Sequence, residues 1–598
     1  MRIQLQSTPF LCCHSLRFLW LDHCREESGT DGVGNEEDIQ RCFQRLWVLD
    51  VRYSSSEFLS AKMMHFMTEL RELNVMGQYI GETDMGALQE QLPNICKLRV
   101  TKSEARGSIQ FSGKDKMELL DFSGNICYYK SRLSVESSCS NLETVIIEGS
   151  PPLKEISLKG CAKLKRLLLS ELFPQLCSLD ITGTAVKTLD LGAVTAPELD
   201  ELFLLDCGEL RAILWPPPSE NRGKRYPSKL HIETTQNDKE STAADGTGRS
   251  PTGRSNHWYI SVRDARLLGS LEPVKDYFGP NFAHVEVSAL ASPGAAGRKG
   301  VGIKGSSGQQ QVYVTLKEAG MQQEEEEAND GETDASARIM FRCPPSPPVP
   351  SQGCYMHIQD WVERTIVVPA FVYDGAKILH IHDSSLRRIH AAPSGPAQNE
   401  LEWCRAERCP ALECVLSMGS RTFNKLRTIW GSHLFYARCF VEESNIIGRI
   451  SIRIFAGLTL LHLYCCPRLE YALPLRGYTV SLENLETLEI MWCGDLISVF
   501  DQESRPQHRP IMLNLFKLPK LKHIHLHELP KLYHIYGATV DAPKLETVKI
   551  RGCWNLSSLP VVTGKEKGVV CDCEKEWWER LQQVSENRQT IHYKPIHP

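Results

Sequence analysis

The sequence predicts an α/β solenoid, a horseshoe-shaped body in which short parallel strands stack side by side and return segments complete each turn. This prediction depends on one phrase that recurs along the chain with apolar residues at matched positions. In "LETVKIRGCWNLSSLP" the apolar positions are Leu545, Val548 and Ile550, followed by a cysteine. The phrase returns as "LETLEIMWCGDLISVF" from Leu485 and as "LKEISLKGCAKLKRL" from Leu153. Copies that begin at positions 153, 176 and 199 are 23 residues apart, which is the length of one solenoid turn.

The phrase has the form of a leucine-rich repeat, LxxLxLxx(N/C)xL, in which each copy supplies a strand, a turn and a return segment. A single copy cannot bury its own apolar edge, so neighbouring copies must stack. Period-two alternation directs Val548 and Ile550 into the core and leaves Thr547, Lys549 and Arg551 on the open face. The predicted fold is therefore an α/β leucine-rich-repeat solenoid (horseshoe), with irregular repeats and short parallel strands on its concave face.

A cysteine often occupies the position that closes the strand. A small side chain there can lie buried and satisfy backbone groups of the turn in its own or the next repeat. Because cysteines at this position are explained as packing residues, a reduced, cytoplasmic setting is predicted, with a nuclear location left open. The cysteines at this position are Cys161, Cys207, Cys409, Cys466, Cys493 and Cys553.

The copies are unevenly spaced, so loops of variable length are expected between strands. From about residue 216 to 370, polar, Gly/Ser/Pro-rich and charged stretches replace the phrase and predict a long, partly disordered insertion. Four pieces inside it, "HWYISV", "HVEVSA", "QVYVTL" and "RIMFRC", are interpreted as degenerate repeat strands that carry long loops. We divide the chain into a first repeat block (1–215), the insertion (216–370), a second repeat block (371–562) and a capping helix with a tail (563–598).

Composition and charge argue against several classes of function. The chain has a formal net charge of -5 and 42% hydrophobic residues, so it lacks a general basic footprint and no nucleic-acid partner is expected. No apolar run is long enough to span a bilayer, and the N-terminus lacks the features of a signal peptide.

No motif for catalysis, a cofactor or a metal emerges from the sequence. The nearest approach to a phosphate-binding loop, "GSIQFSGKD", has its glycines one residue too far apart and Asp115 in place of the hydroxyl residue. His523, His525 and His527 of "KHIHLHE" share one face by strand parity, but the pattern places no carboxylate or cysteine with them. We interpret them as ordinary residues of the concave face, and we predict no enzyme activity, no cofactor and no metal site.

The outward strand positions form the candidate partner-binding face. When the repeats are aligned by phase, aromatic, His and Arg side chains come together on one surface, and such side chains are enriched in protein interfaces. The candidate residues are His380, His382, Trp403, Arg405, His462, Tyr464, Glu489, Met491, His525, His527, Lys549 and Arg551.

The repeats resemble the C-terminal region of plant nucleotide-binding leucine-rich-repeat disease resistance proteins, particularly the monocot coiled-coil type. The phrases that carry the resemblance are "LETLEIMWCGDL", "LPKLKHIHLHELPKLYHIY", "APKLETVKIRGCWNLSSLP" and the ending "VVCDCEKEWWERLQ". In this ending, residues 574–581 resemble the acidic helix that seals the last repeat, with Trp577 and Trp578 covering exposed core.

The resemblance implies an immune recognition module whose partners are a pathogen effector or a guarded host protein. Members of the family carry a coiled coil and a nucleotide-binding switch domain ahead of the repeats, and this sequence has neither. It is then either a truncated gene product or a repeat-only relative, and a nucleotide-binding domain acting in trans is a further expected partner. The alternative is an F-box-like repeat adaptor of a ubiquitin ligase, although the first forty residues do not read as the three amphipathic helices of such a box.

Overall fold

The computed structural model of the protein describes residues 2–3, 13, 15–26, 36–106, 109–128, 131–149, 152–216, 227–234, 258–263, 266–277, 282–288, 353–361, 365–391, 400–417, 423–442, 454–474, 482–501, 516–537, 539–563, 568–584 and 591–597. Within them the chain forms a solenoid of parallel strands, which confirms the predicted fold class. The strands belong to two principal ladders rather than one.

The N-terminal ladder is the shorter of the two. Each strand pairs in parallel with the strand of the next turn. Its strands are Phe18–Asp22, Val48–Arg52, Glu72–Met76, Lys97–Thr101, Leu119–Asp121, Thr144–Glu148, Arg166–Leu172 and Val194–Thr195.

The long ladder begins at residue 109 and continues to residue 596. All of its pairings are parallel as well. Its strands are Ile109–Phe111, Ser131–Val135, Leu153–Ser157, Ser178–Asp180, Glu201–Leu204, Lys229–Glu233, Trp258–Val262, Phe282–Ser288, Gly353–Gln359, Ala376–His382, Trp403–Glu407, Thr428–Ser432, Leu460–Tyr464, Thr487–Met491, His523–His527, Thr547–Arg551, Val569–Asp572 and Tyr593–Ile596.

The two ladders overlap in the first repeat block, where the chain alternates between them. Leu119–Asp121 and Thr144–Glu148 belong to the N-terminal ladder, whereas Ser131–Val135 and Leu153–Ser157 belong to the long ladder. The sequence analysis treated the copies before and after residue 150 as one series. In this region one turn of the solenoid supplies a strand to each ladder. Both strands match the repeat phrase, because each of them buries apolar residues.

Shorter sheets and helices complete the turns. The remaining strands are Arg2–Ile3, Arg25–Glu26, Tyr79–Ile80, Glu104–Arg106, Ile126–Tyr128, Thr188–Asp190, Ala212–Leu214, Thr365–Val368, Arg388–Ala391, Leu416–Ser417, Val441–Glu442, Leu473–Pro474, Phe500–Asp501, Phe516–Lys517 and Val540–Asp541. The α-helices are Glu36–Phe43, Ala61–Phe66, Glu82–Glu90, Arg266–Gly269, Ala370–Asp374 and Lys575–Val584, and 3-10 helices span Ser56–Leu59 and Glu272–Tyr277. No helix of the described part of the chain has the length and apolarity that a membrane crossing requires.

In the strand Thr547–Arg551, the alternation of buried and outward side chains agrees with the prediction. Val548 and Ile550 are fully buried, whereas Lys549 is exposed and Thr547 and Arg551 are half-buried. Each turn adds its apolar residues to one continuous core that runs along the solenoid. The alternation is enforced by the extended backbone, whose successive side chains point to opposite faces.

The cysteines that close the strands have the predicted packing role. All six are buried, and the thiols of Cys409, Cys493 and Cys553 lie 3.1, 3.5 and 3.4 Å from the carbonyl oxygen two residues earlier. The Cys161 thiol instead reaches the carbonyl oxygen of Val135, 3.8 Å away in the preceding long-ladder strand. Burial raises the pKa of the Cys409 thiol to about 11, so it remains a protonated donor.

The residue after each long-ladder strand of the second block turns the chain sharply. Its backbone lies in the left-handed region, which residues other than glycine rarely adopt. At Gly552, where φ is +62°, an added Cβ would lie 2.8 Å from the Glu528 side chain of the preceding repeat. The same turn recurs at φ values between 47° and 59° in Asp383, Arg408, His433, Cys465, Trp492 and Glu528.

The long ladder continues through the described parts of residues 216–370. Of the four predicted pieces, "HWYISV" contains the ladder strand Trp258–Val262, and "HVEVSA" covers all but the first two residues of the ladder strand Phe282–Ser288. The other two pieces, "QVYVTL" and "RIMFRC", lie outside the described residues. Sequence reasoning missed the ladder strand Gly353–Gln359, because its alternating pattern follows directly on a proline-rich stretch.

The C-terminal helix Lys575–Val584 covers the last part of the core. Trp577 and Trp578 are 1% and 5% exposed, and the Trp577 indole N–H donates to the carbonyl oxygen of Leu556 at 3.3 Å. The ladder does not end at this helix, because Tyr593–Ile596 follows it and pairs with Val569–Asp572.

Candidate partner-binding face

The register of the long ladder arranges its outward residues in three parallel columns between residues 357 and 572. The first column contains Ile378, Trp403, Thr428, Leu460, Thr487, His523, Thr547 and Val570. The middle column contains His357, His380, Arg405, Trp430, His462, Glu489, His525, Lys549 and Asp572. The third column contains Gln359, His382, Glu407, Ser432, Tyr464, Met491, His527 and Arg551.

Eleven of the twelve candidate residues lie in the middle and third columns. The exception is Trp403, which pairs with Ile378 and Thr428 in the first column. The phase alignment placed Trp403 beside His380, but the structure places Arg405 there. The repeat at Leu401 was therefore aligned two residues out of step.

A side chain that points away from the core is not necessarily exposed to solvent on this face. Trp403, His462 and Met491 are each only 3% exposed, whereas most of the other candidates are half-buried and Lys549 is exposed. Long side chains in adjacent turns cover one another, because neighbouring parallel strands lie only about 5 Å apart. These three candidates are therefore buried under the face and offer almost no accessible surface to a partner.

A ring stack lies at the centre of the face. The Trp430 indole and the His462 imidazole are nearly parallel, with ring centroids 3.6 Å apart and planes inclined by 9°. His462 Nδ1 is 2.8 Å from Glu489 Oε2, so the imidazole is held between an aromatic ring and a carboxylate. Sequence reasoning missed Trp430, although the phase of "LRTIWG" would have placed it in the middle column.

Charged side chains tie neighbouring turns together across the third column. Arg408 forms two hydrogen bonds with Asp383, at 2.7 and 2.8 Å, and lies 3.5 Å from Glu407. Glu407 also accepts a 2.8 Å hydrogen bond from Arg405. The Arg408 guanidinium lowers the pKa of Asp383 to about 2, so the carboxylate is ionised throughout the physiological range.

Histidines cluster at one end of the face. His357, His380 and His382 have ring centroids 4.9 Å apart in each pair, and the Nε2 atoms of His357 and His382 are 2.8 Å apart. Burial, reinforced by the neighbouring imidazoles, lowers the pKa of His357 and His380 to about 3, so both rings are neutral at physiological pH. The sequence analysis did not associate these rings, because His357 lies in the segment assigned to the insertion.

The histidines of "KHIHLHE" occupy separate positions. His523 lies in the first column, where its Nδ1 is 2.8 Å from the Thr547 hydroxyl oxygen. His525 and His527 have ring centroids 6.4 Å apart, and His527 approaches Trp492 at 5.6 Å. Among the described residues these three imidazoles do not form a three-ligand group.

The fold and this face define the class of protein: a leucine-rich-repeat solenoid, an architecture whose stacked repeats present an extended surface for binding. Residues 444–564 match the family model "Plant disease resistance protein RPS2-like, leucine-rich repeats". These residues include the columns from the strand Leu460–Tyr464 to the strand Thr547–Arg551.

Solved structures with similarity to the chain include other leucine-rich-repeat proteins. The plant peptide hormone receptor RGFR1 in complex with RGF2 is 12% identical with a TM-score of 0.20, over 96% of this chain and 89% of the receptor chain. A leucine-rich-repeat protein of Leptospira interrogans is 10% identical with a TM-score of 0.18, over 100% of this chain and 99% of its own. Similarity at this level defines neither a common overall curvature nor a common ligand.

Proposed function

We propose that the protein is a non-enzymatic recognition module of a plant immune receptor that binds a pathogen effector or a guarded host protein. The match of residues 444–564 to the repeats of plant disease resistance proteins supports the receptor class. A nucleotide-binding domain acting in trans would be its signalling partner, and the cytoplasm, with the nucleus as an alternative, would be its location.

The observation that carries the proposal is the composition of the three columns. Partner-binding surfaces concentrate aromatic and arginine side chains around well-packed centres. Here the packed Trp430–His462 stack shares the columns with half-buried residues that retain accessible surface, such as Tyr464, His525 and Arg551. The face therefore offers both a rigid centre and exposed polar groups that could select a partner.

Removing two outward side chains at the C-terminal end of this face tests the surface assignment. We expect the double substitution His525→Ala and Arg551→Ala to weaken partner binding by about tenfold or more, as loss of well-packed interface side chains commonly does. Its effect on folding should be small, because Arg551 pairs with a partly exposed Asp572 and neither side chain belongs to the core. Isothermal titration with the purified partner measures the affinity, and circular dichroism measures folding.

A double substitution off the face supplies the matched control. Lys520→Ala and Lys531→Ala remove two exposed side chains from the same repeat as His525, and both lysines lie outside the columns. The control variant should bind like the unaltered protein. Equal affinities of the face variant and the unaltered protein would contradict the assignment of this surface.

A panel of purified candidate proteins is used to identify the partner. Purified pathogen effector proteins are tested one at a time against the full chain, the face variant and the control variant. A binder that depends on the face supports the proposal, and a binder that prefers the face variant to the unaltered chain speaks against it. Stable association with a purified cullin adaptor would favour the ubiquitin-ligase alternative, for which the described N-terminal residues provide a strand at Phe18–Asp22 and a single helix at Glu36–Phe43.

A further inference from the structure

Three imidazoles from two adjacent strands converge at one end of the columns. His357 belongs to Gly353–Gln359, and His380 and His382 belong to Ala376–His382. One ring nitrogen of each lies within 4.8 Å of the others. All three side chains are half-buried, so the cluster is partly shielded from water without being closed to it.

We propose that His357, His380 and His382 form a binding site for a divalent transition-metal ion, with Zn²⁺ the best-matched ion. Neutral imidazole nitrogen is a preferred ligand of Zn²⁺ as well as of Cu²⁺ and Ni²⁺. Three such ligands leave a further coordination position for water or an acidic side chain, as in other three-histidine sites. The inference is independent of the proposed immune function, because it rests only on this cluster.

A buried ring nitrogen of the cluster supports the proposal. His380 Nε2 is buried and has no hydrogen-bond partner within the described structure. Burying such an atom without a partner is unfavourable. The mutual contact of His357 and His382 at 2.8 Å does not satisfy His380, whereas an ion held by all three rings would.

The surroundings of His382 match those of a metal-binding histidine. Its Nδ1 donates to Asp383 Oδ2 at 2.8 Å, and Arg408 in turn holds the Asp383 carboxylate. Metal-bound histidines commonly donate their second ring N–H to a carboxylate in this way, which fixes the tautomer and the ring orientation. In His382 this arrangement leaves the Nε2 lone pair directed toward the other two rings.

The three rings must adjust to admit the ion, because ring nitrogens up to 4.8 Å apart have to reach a common spacing. Zn–N bonds of about 2.0–2.1 Å in tetrahedral geometry place ligand nitrogens about 3.3 Å apart. The 2.8 Å separation between His357 and His382 would therefore widen slightly, and the neutral His357 ring would carry its proton on the nitrogen that does not bind the ion. Metal binding replaces one hydrogen bond with three coordinate bonds.

A carboxylate lies beside the cluster on the preceding strand. Glu286 pairs in register with His357 and forms a second group with His284 and His357, in which the ligand atoms also lie within 4.8 Å of one another. This second group shares only His357 with the cluster, and the Glu286 oxygens already accept hydrogen bonds from Tyr259 and Gln359. The fourth coordination position of the proposed site is therefore assigned to water.

Zinc titration of the full chain, stripped of metal, tests the site. We expect a saturable Zn²⁺ site in isothermal titration that is lost in both His380→Ala and His382→Ala. Asp383→Asn should keep the site but weaken it by about 10- to 100-fold, because it removes the carboxylate behind His382. Asparagine is chosen because it tolerates the left-handed backbone at this position, where φ is 51°.

His525→Ala is the matched control, because it removes an imidazole from the same middle column outside the cluster. It should leave Zn²⁺ affinity unchanged. Absence of saturable binding, or equal binding in all variants, would overturn the proposal. So would a loss of affinity in His525→Ala as large as that in His382→Ala.

X-ray absorption of the zinc-loaded, unaltered chain tests the ligands without any substitution. The site predicts nitrogen ligands at about 2.0–2.1 Å from the ion. Sulfur ligands at about 2.3 Å would assign the ion to cysteines and contradict the proposed site. This measurement decides the question even if the alanine variants fail to fold.

Discussion

Leu488→Ala is expected to lower the free energy of unfolding by about 2–5 kcal/mol, the range for removing a leucine side chain from a packed core. Leu488 is fully buried in the strand Thr487–Met491, where it lies in register between Leu461 and Ile524. The cavity would lie between three successive turns, and a solenoid turn is supported only by its neighbours. Urea denaturation followed by tryptophan fluorescence measures the loss, and hydrogen exchange locates it.

The control for this prediction is an outward residue without a structural role in the core. Lys549→Ala fits, because Lys549 is exposed in the middle column, and its effect should be small. Glu489 is less suitable although it is adjacent to Leu488, because it is bonded to the buried His462 and its removal would leave that imidazole without its carboxylate. Equal destabilisation by Leu488→Ala and Lys549→Ala would contradict the strand parity on which the face is defined.

Trp577→Ala is expected to destabilise the C-terminal turns by about 3–5 kcal/mol, because it removes a large aromatic side chain from the core. The indole is 1% exposed, and it also donates the hydrogen bond to the Leu556 carbonyl oxygen. In a linear array the loss should be concentrated in the turns that the helix covers. Hydrogen exchange should therefore accelerate most in the strands Thr547–Arg551 and Val569–Asp572.

Glu579→Ala provides the comparison on the same helix. Its carboxylate is 3.9 Å from the Lys575 ammonium, and both side chains are largely exposed, so little stability should be lost. If the two variants showed the same exchange pattern, Trp577 would not seal the core. Uniform acceleration along the whole solenoid in Trp577→Ala would instead indicate that the turns unfold as one unit.

Local features of the repeat were predictable because they follow from covalent geometry. Alternation along an extended strand identified Val548 and Ile550 as core, and the closing cysteines were identified as buried packing residues. The same reasoning placed eleven of the twelve candidate residues in the middle and third columns. It misplaced Trp403 because the repeat at Leu401 was aligned two residues out of step: the spacing from Leu485 to Glu489 places Arg405, four residues after Leu401, in the middle column.

The His357 cluster shows where sequence reasoning was insufficient. Period-two alternation relates only residues of the same strand. The sequence analysis therefore considered the three histidines of "KHIHLHE" together, and it predicted no metal site. The candidate site takes one ligand from a neighbouring strand that lies in the segment assigned to the insertion. Two strands that are adjacent in the ladder need not resemble each other in sequence.

By itself, the sequence determined that the chain is a stack of repeats, which strand residues enter the core and why cysteine recurs. Only the tertiary structure decided that the first block contributes to two ladders, that His462 and Met491 are buried beneath the face, and that His357 meets His380. The physical reason is that inward or outward direction is a property of one extended strand. Loops of different length decide instead how separate turns come together. They therefore set the strand register, which outward side chains are buried by their neighbours, and which ladder a strand joins.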